Sequence, residues 1–141
     1  MKTKIISKIL LSLGLVFVLG SAITQVRGEE DKFPVITIHS TGDVKRGKTG
    51  SFVLNMNPPV MMGGTYVNFS VSGTAIPGVD YVALVSPAQL GPDGYGVILV
   101  KTLPDPRGSG NRQSYTVVVT LDAGLGYTLG QPMSAKMTIK P

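Results

Sequence analysis

From residue 35 onward, apolar and polar positions alternate with a period of two in short runs, and turn residues interrupt them every eight to fifteen positions. That rhythm is the signature of half-buried strands. Residues 35–39 form a first strand entered after Pro34. Residues 51–56 place Phe52, Leu54 and Met56 on one face and stop at Asn57, Pro58 and Pro59, because proline cannot donate to a ladder. Residues 66–72 point Val67, Phe69 and Val71 inward and Tyr66, Asn68 and Ser70 outward. Further strands are expected at 81–84, 95–102, 115–121 and 135–139, for about seven in all. No stretch of the mature chain carries a helical period. The predicted fold is an all-β, immunoglobulin-like Greek-key β-sandwich.

The amino end follows another rule. Lys2, Lys4 and Lys8 precede an apolar run from Ile9 to Leu19 that closes on Gly20, Ser21 and Ala22. This is the pattern of a secretory signal peptide, and the run is shorter than the ~20 apolar residues a membrane span needs. Cleavage is expected after Ala22 or after Gly28. The expected organisation is a signal peptide over 1–28, a flexible leader over 29–34 and a sandwich over 35–141, in a protein secreted or held in the periplasm or cell envelope. Membrane contact is expected only through the precursor's signal segment.

Composition narrows the chemistry. The chain of 141 residues has no Cys and one His, which excludes disulfide scaffolds, thiol nucleophiles and multi-histidine metal sites. Its formal charge of +5 falls to +2 once the three signal-segment lysines leave, with 10 basic against 8 acidic residues over 23–141. Lys45, Arg46 and Lys48 are the one basic cluster and read as a solvated turn, so nucleic acid is not an expected partner.

One segment carries a family resemblance. Residues 71–81 run from a strand through Gly73, Thr74 and Ala75, a turn with Pro77 and Gly78, and then Asp80 and Tyr81. This resembles the signature of Calx-beta domains. Residues 114–121, the turn framed by Gly126 and Gly130, and the strand 135–139 are similar to that family's closing hairpin, so the resemblance spans about residues 35–139. Independently of the name, Gly73 and Gly78 let the chain leave one sheet for the other. Asp80 is placed to brace that crossing by accepting backbone N–H bonds, and Tyr81 to bury its ring with its hydroxyl hydrogen-bonded.

The resemblance implies calcium at one end of the sandwich, held in the family's exchanger branch by a Glu before a Gly, paired Asp residues after the fifth strand and a Glu entering the sixth. Here those places hold Arg46 before Gly47, Asp105 between Pro104 and Pro106, and Gln113 before Ser114. Calcium needs six to eight oxygens, several of them anionic. No metal or other cofactor is therefore expected, Asp80 and Asp105 being the residual candidates. Two arrangements remain open: Arg46 pairs with Asp105 and sets a fixed cation where the family sets a metal, or Arg46 lies in solvent while Asp105 begins a turn.

Other candidates are thin. His39 reads as a polar strand-end residue rather than a general base, and no catalytic residues are expected. Asn68 to Ser70 matches the glycosylation pattern. Val60, Met61 and Met62 sit in a loop that either meets a partner or plugs the end of the sandwich. The expected work is non-catalytic binding or adhesion to a protein or matrix partner. The alternative is a calcium-binding regulatory or matrix module that uses the residual carboxylates.

Overall fold

The computed structural model describes residues 32–60 and 63–141. The expected signal peptide, the first half of the expected leader (29–31), and Met61 and Met62 lie outside the described residues. Phe33–Pro141 forms one compact unit. Among the described residues it is all strand and turn, with β1 (Val35–Ser40), β2 (Val44–Lys45), β3 (Thr49–Asn57), β4 (Thr65–Val67), β5 (Phe69–Ser72), β6 (Ala88–Leu90), β7 (Tyr95–Lys101), β8 (Tyr115–Leu121), β9 (Thr128–Leu129) and β10 (Ser134–Lys140).

Two four-stranded sheets, ordered β7-β3-β1-β9 and β2-β10-β8-β5, make a β-sandwich, and β4 pairs with β6 in a third, two-stranded ribbon. The chain crosses repeatedly between the two main sheets, as Greek-key sandwiches require. Pairing is antiparallel except for β1 with β9 and β2 with β10.

The alternation explains the core. Phe52, Leu54 and Met56 of β3 are buried, and so are Ile36 and Ile38 of β1 and Ile98 and Val100 of β7. Val117, Val119 and Leu121 of β8 and Met137 and Ile139 of β10 join them from the other sheet in one cluster. Each such side chain contributes roughly 1.5–3 kcal/mol relative to exposure, which offsets chain entropy without disulfides.

Three expectations change. The strand expected over 66–72 is two strands in different sheets, because the chain changes sheet at Asn68. Its N–H donates to the Tyr127 hydroxyl (3.1 Å) and its carbonyl accepts from the Asp122 N–H (2.8 Å), so neither group joins a ladder. Residues 81–84 are not a strand. Only Tyr81 makes isolated bridges, to Pro77 and Thr102, and the chain bows outward beyond Val82. Finally, β2, β6 and β9 enlarge the expected set; runs of two or three residues are too short to show a period.

Tyr127 holds the corner at Asn68. Its hydroxyl donates to the Asp122 carbonyl (2.6 Å) and accepts from Asn68, and the residue is 5% exposed. Tyr127→Phe removes both bonds and leaves the part-buried Asp122 carbonyl and Asn68 N–H without this partner. The expected loss is about 1–3 kcal/mol, read as a lower urea midpoint with unchanged slope.

Candidate functional site

At the end of the sandwich where the chain passes from 73 to 81, Gly73, Thr74 and Ala75 clamp onto β8. The Ala75 N–H donates to the Thr116 carbonyl (2.9 Å), and the Thr74 and Thr116 backbone N–H groups each donate to the other's hydroxyl (3.1 and 2.9 Å). A tight turn follows, in which the Asp80 N–H donates to the Ile76 carbonyl (2.8 Å) and the Gly78 N–H to the Tyr81 carbonyl (2.7 Å). The turn delivers Asp80 into the interior, fully buried. Tyr81 is buried beside it, and burial first, then the Asp80 charge, raises its hydroxyl pKa; no hydrogen bond contributes.

Two arginines meet Asp80. Arg46 Nη2 donates to Oδ1 at 2.5 Å, while Arg107 forks across the carboxylate, Nη1 to Oδ1 at 2.7 Å and Nη2 to Oδ2 at 3.1 Å. Oδ2 also accepts the Ile76 N–H at 2.8 Å. Asp105 completes the network. It takes Arg107 Nη1 (3.1 Å) and the Arg107 N–H (3.0 Å) on Oδ1 and the Asn111 amide (2.7 Å) on Oδ2, with Arg46 Nη2 3.7 Å away. Arg46 Nη1 donates to the Leu103 carbonyl (3.1 Å), and the Arg107 guanidinium stacks 4.1 Å above the Tyr115 ring.

The two arrangements left open for Arg46 and Asp105 are thus partly combined. The Arg46 side chain is only 10% exposed, so it is not in solvent, and its closest carboxylate is Asp80 rather than Asp105. Asp105 both approaches Arg46 and opens a turn, its carbonyl accepting the Gly108 N–H. Within the basic cluster of Lys45, Arg46 and Lys48, Arg46 is the inward exception.

Arg107 had no role in the sequence reading. The local signal was Pro106-Arg107-Gly108 two residues beyond Asp105, which marks a turn but does not say that the side chain folds back over 27 residues to Asp80.

As arranged, the two carboxylates do not fit calcium. Every oxygen of Asp80 and Asp105 already accepts a hydrogen bond, and two guanidinium groups fill the space between them. Among the described residues no group of three or more His, Asp or Glu is placed to hold a metal.

The network makes stability pH-dependent. Arg107 hydrogen bonds, helped by the Ile76 N–H and Arg46 and opposed by burial, hold Asp80 far below the usual carboxylate range. Asp105 is lowered as well, first by the Arg107 N–H and then by Asn111 and Arg107 side-chain bonds. Both groups therefore bind protons more weakly folded than unfolded. Their stabilisation is complete above the unfolded value near 4 and is lost as pH falls below it. The urea midpoint is expected to be lower at pH 3 than at pH 6; an unchanged midpoint would remove the network from the stability balance.

The other candidates lie elsewhere. His39 is exposed on the outer face of β1, where Nδ1 lies 3.3 Å from the Asn55 amide. Asn68 is exposed at the sheet-changing corner, and Val60 packs partly buried against the core.

A surface feature missed in the sequence stands at the margin of the first sheet. Tyr95, Val97 and Leu99, successive outward residues of β7, are 59%, 54% and 63% exposed, and Val85 on the neighbouring bowed segment is 82% exposed. By contrast, the outward positions of β5 and β10 are mainly Ser, Thr and Lys.

Among the described residues β7 is also an edge strand, with β3 as its one partner. Its even positions face β3, with the Thr102 N–H donating to Lys48 and the Gly94 carbonyl accepting from Met56. Its odd positions face away. The Tyr95 and Lys101 carbonyls accept from Gly91 and Val82, while Val97 and Leu99 between them face a groove of about 320 Å³ flanked by residues 83–89.

No protein-family model matches the chain, and no curated protein is significantly similar to it.

Proposed function

We propose that this chain is a non-catalytic binding or adhesion module, exported to the cell envelope or beyond it, that takes an extended segment of a partner protein along β7. The observation that carries this reading is the run of three exposed apolar side chains, Tyr95, Val97 and Leu99, on an edge strand whose one partner among the described residues is β3. Apolar surface concentrated in this way marks an interaction site more often than scattered residues do. An added strand can pair with the edge of β7 that faces away from β3, at Val97 and Leu99, while its alternate side chains cover the stripe.

The Calx-beta resemblance, carried by Gly73, Thr74, Ala75, Gly78, Asp80 and Tyr81, supports a module of this kind by analogy of fold. Calcium regulation remains the second reading. It requires Arg46 and Arg107 to leave Asp80 and Asp105, so a calorimetric titration that gives heat of calcium binding and a raised melting temperature would favour it.

The strand-docking reading is tested by selecting random ten-residue peptides on the immobilised domain. Peptides with alternating apolar residues are expected, and their binding should slow amide exchange at Val97 and Leu99. Binding should fail in Leu99→Asp, whose outward position leaves the core intact. Selection of no such peptides, or equal binding by that variant, would sink the reading.

A further inference from the structure

The arginine-rich end has a cation outside the ion pairs of the described residues. Over residues 33–141, eight basic residues stand against five acidic ones. Asp80 and Asp105 are taken by Arg46 and Arg107, and Asp43 by Lys140 at 3.0 Å. Arg112 belongs to none of the ion pairs of the described residues. It lines a pocket of about 300 Å³ together with Arg46, Ser109, Asn111, Asp105 and Pro141.

The wall of this pocket is built rather than incidental. The loop between β7 and β8 is pinned by Asn111, whose amide donates to Asp105 Oδ2 (2.7 Å) and to the Tyr115 hydroxyl (3.1 Å). Arg46 is nine-tenths buried and held in place by hydrogen bonds from one N–H on each of Nη1 and Nη2, with Nη2 also 3.7 Å from Asp105 Oδ2, and its other N–H groups make no hydrogen bond among the described residues. The Asp105 carboxylate in the wall is paired with Arg107 and takes the Asn111 amide, and Asp80 and Asp105 together offset Arg46 and Arg107, so the net positive charge at the pocket comes from Arg112. Register also sets Lys45 beside Lys140, next to Pro141 at the rim, which adds to the positive field.

From this arrangement we infer that the pocket binds a tetrahedral oxyanion, sulfate or phosphate, between the Arg112 and Arg46 guanidinium groups. Guanidinium donors suit such oxygens because each offers two N–H bonds in a plane, one set held in the wall by Arg46 and the other brought by the exposed Arg112, and a pocket of this size also has room for the organic part of a monoester. The site is distinct from the β7 groove and does not depend on it.

The test is NMR titration of the isotope-labelled domain with sodium sulfate and sodium phosphate, against sodium chloride at matched ionic strength. Saturable shifts are expected at the amides of Ser109, Gly110 and Arg112 with sulfate or phosphate and not with chloride. Arg112→Ala, at an exposed loop position without a described ion pair, should fold as before and bind about tenfold more weakly or worse. Arg112→Lys, which keeps the charge but not the fork, should fall between. Glucose 6-phosphate and glucose 6-sulfate then distinguish the source: tighter binding than the free ions means a monoester ligand, equal binding means the ion itself. Shifts that do not saturate, that chloride reproduces, that map elsewhere or that survive Arg112→Ala unchanged would overturn the inference.

Discussion

Asp80→Ala is expected to destabilise the domain by about 3–5 kcal/mol, the cost of breaking a buried ion pair by removing one partner. The magnitude follows from what stays behind. Asp80 is fully buried and answers two guanidinium groups and the Ile76 N–H. Without it, Arg46, whose side chain is 10% exposed, and Arg107 face each other across a cavity with only Asp105 to offset them. For a domain whose net stability is of the order of 5–15 kcal/mol, that is a large share. Asp80→Asn keeps the shape and one acceptor but not the charge, and should fall between wild type and Asp80→Ala. Adding Arg107→Ala to Asp80→Ala should cost less than the sum of the single changes, since the second substitution removes a cation the first left unpaired. Urea unfolding of the four variants measures this, and a loss below about 1 kcal/mol for Asp80→Ala would show that the network is not a structural keystone.

Gly73→Ala should be nearly as damaging for a different reason. Gly73 has φ of +112°, and an added Cβ would lie 2.3 Å from the Thr116 carbonyl oxygen and 2.8 Å from its carbon. That carbonyl is the acceptor for the Ala75 N–H, so the clash cannot be relieved without unclamping 73–75 from β8. Backbone strain of about 1–2 kcal/mol and the loss of two or three hydrogen bonds at about 1 kcal/mol each give an expected cost of about 3 kcal/mol or more. Gly47→Ala is the control. Its φ of +82° carries the strain, but its Cβ meets nothing within 4 Å, so only about 1–2 kcal/mol is expected. Equal melting temperatures for the two variants would show that the close approach at Thr116 is not decisive.

Much of the sandwich was legible because its period is local. Phe52, Leu54 and Met56 announce the inner face of β3 within five residues of chain, and Val67 and Phe69 are buried as their alternation requires even though a sheet change separates them. The corner itself was not legible. Asn68 is an ordinary outward polar residue in sequence, and what ends the ladder there is a hydroxyl 59 residues away on Tyr127. Residues 81–84 misled because Tyr81 and Val82 are good strand formers, while the partner groups on β7 are met only at the two ends of the bowed segment.

The candidate sites divide in the same way. Gly73, Asp80 and Asp105 stand out in sequence as turn chemistry and lone carboxylates, but Arg46 hides in a basic cluster and Arg107 in a turn. Their charges gain meaning only when 34 and 27 residues of intervening chain fold to bring both onto Asp80. Likewise, a strand reading 95–101 as apolar on both faces shows that it is β; it does not show which face lacks a cover. Alternation, turn residues and the absence of Cys determined an all-β domain without disulfides. Tertiary structure alone decided which charges are neutralised and which apolar face is open, because pairing and exposure depend on distances through space that short-range sequence periodicity does not encode.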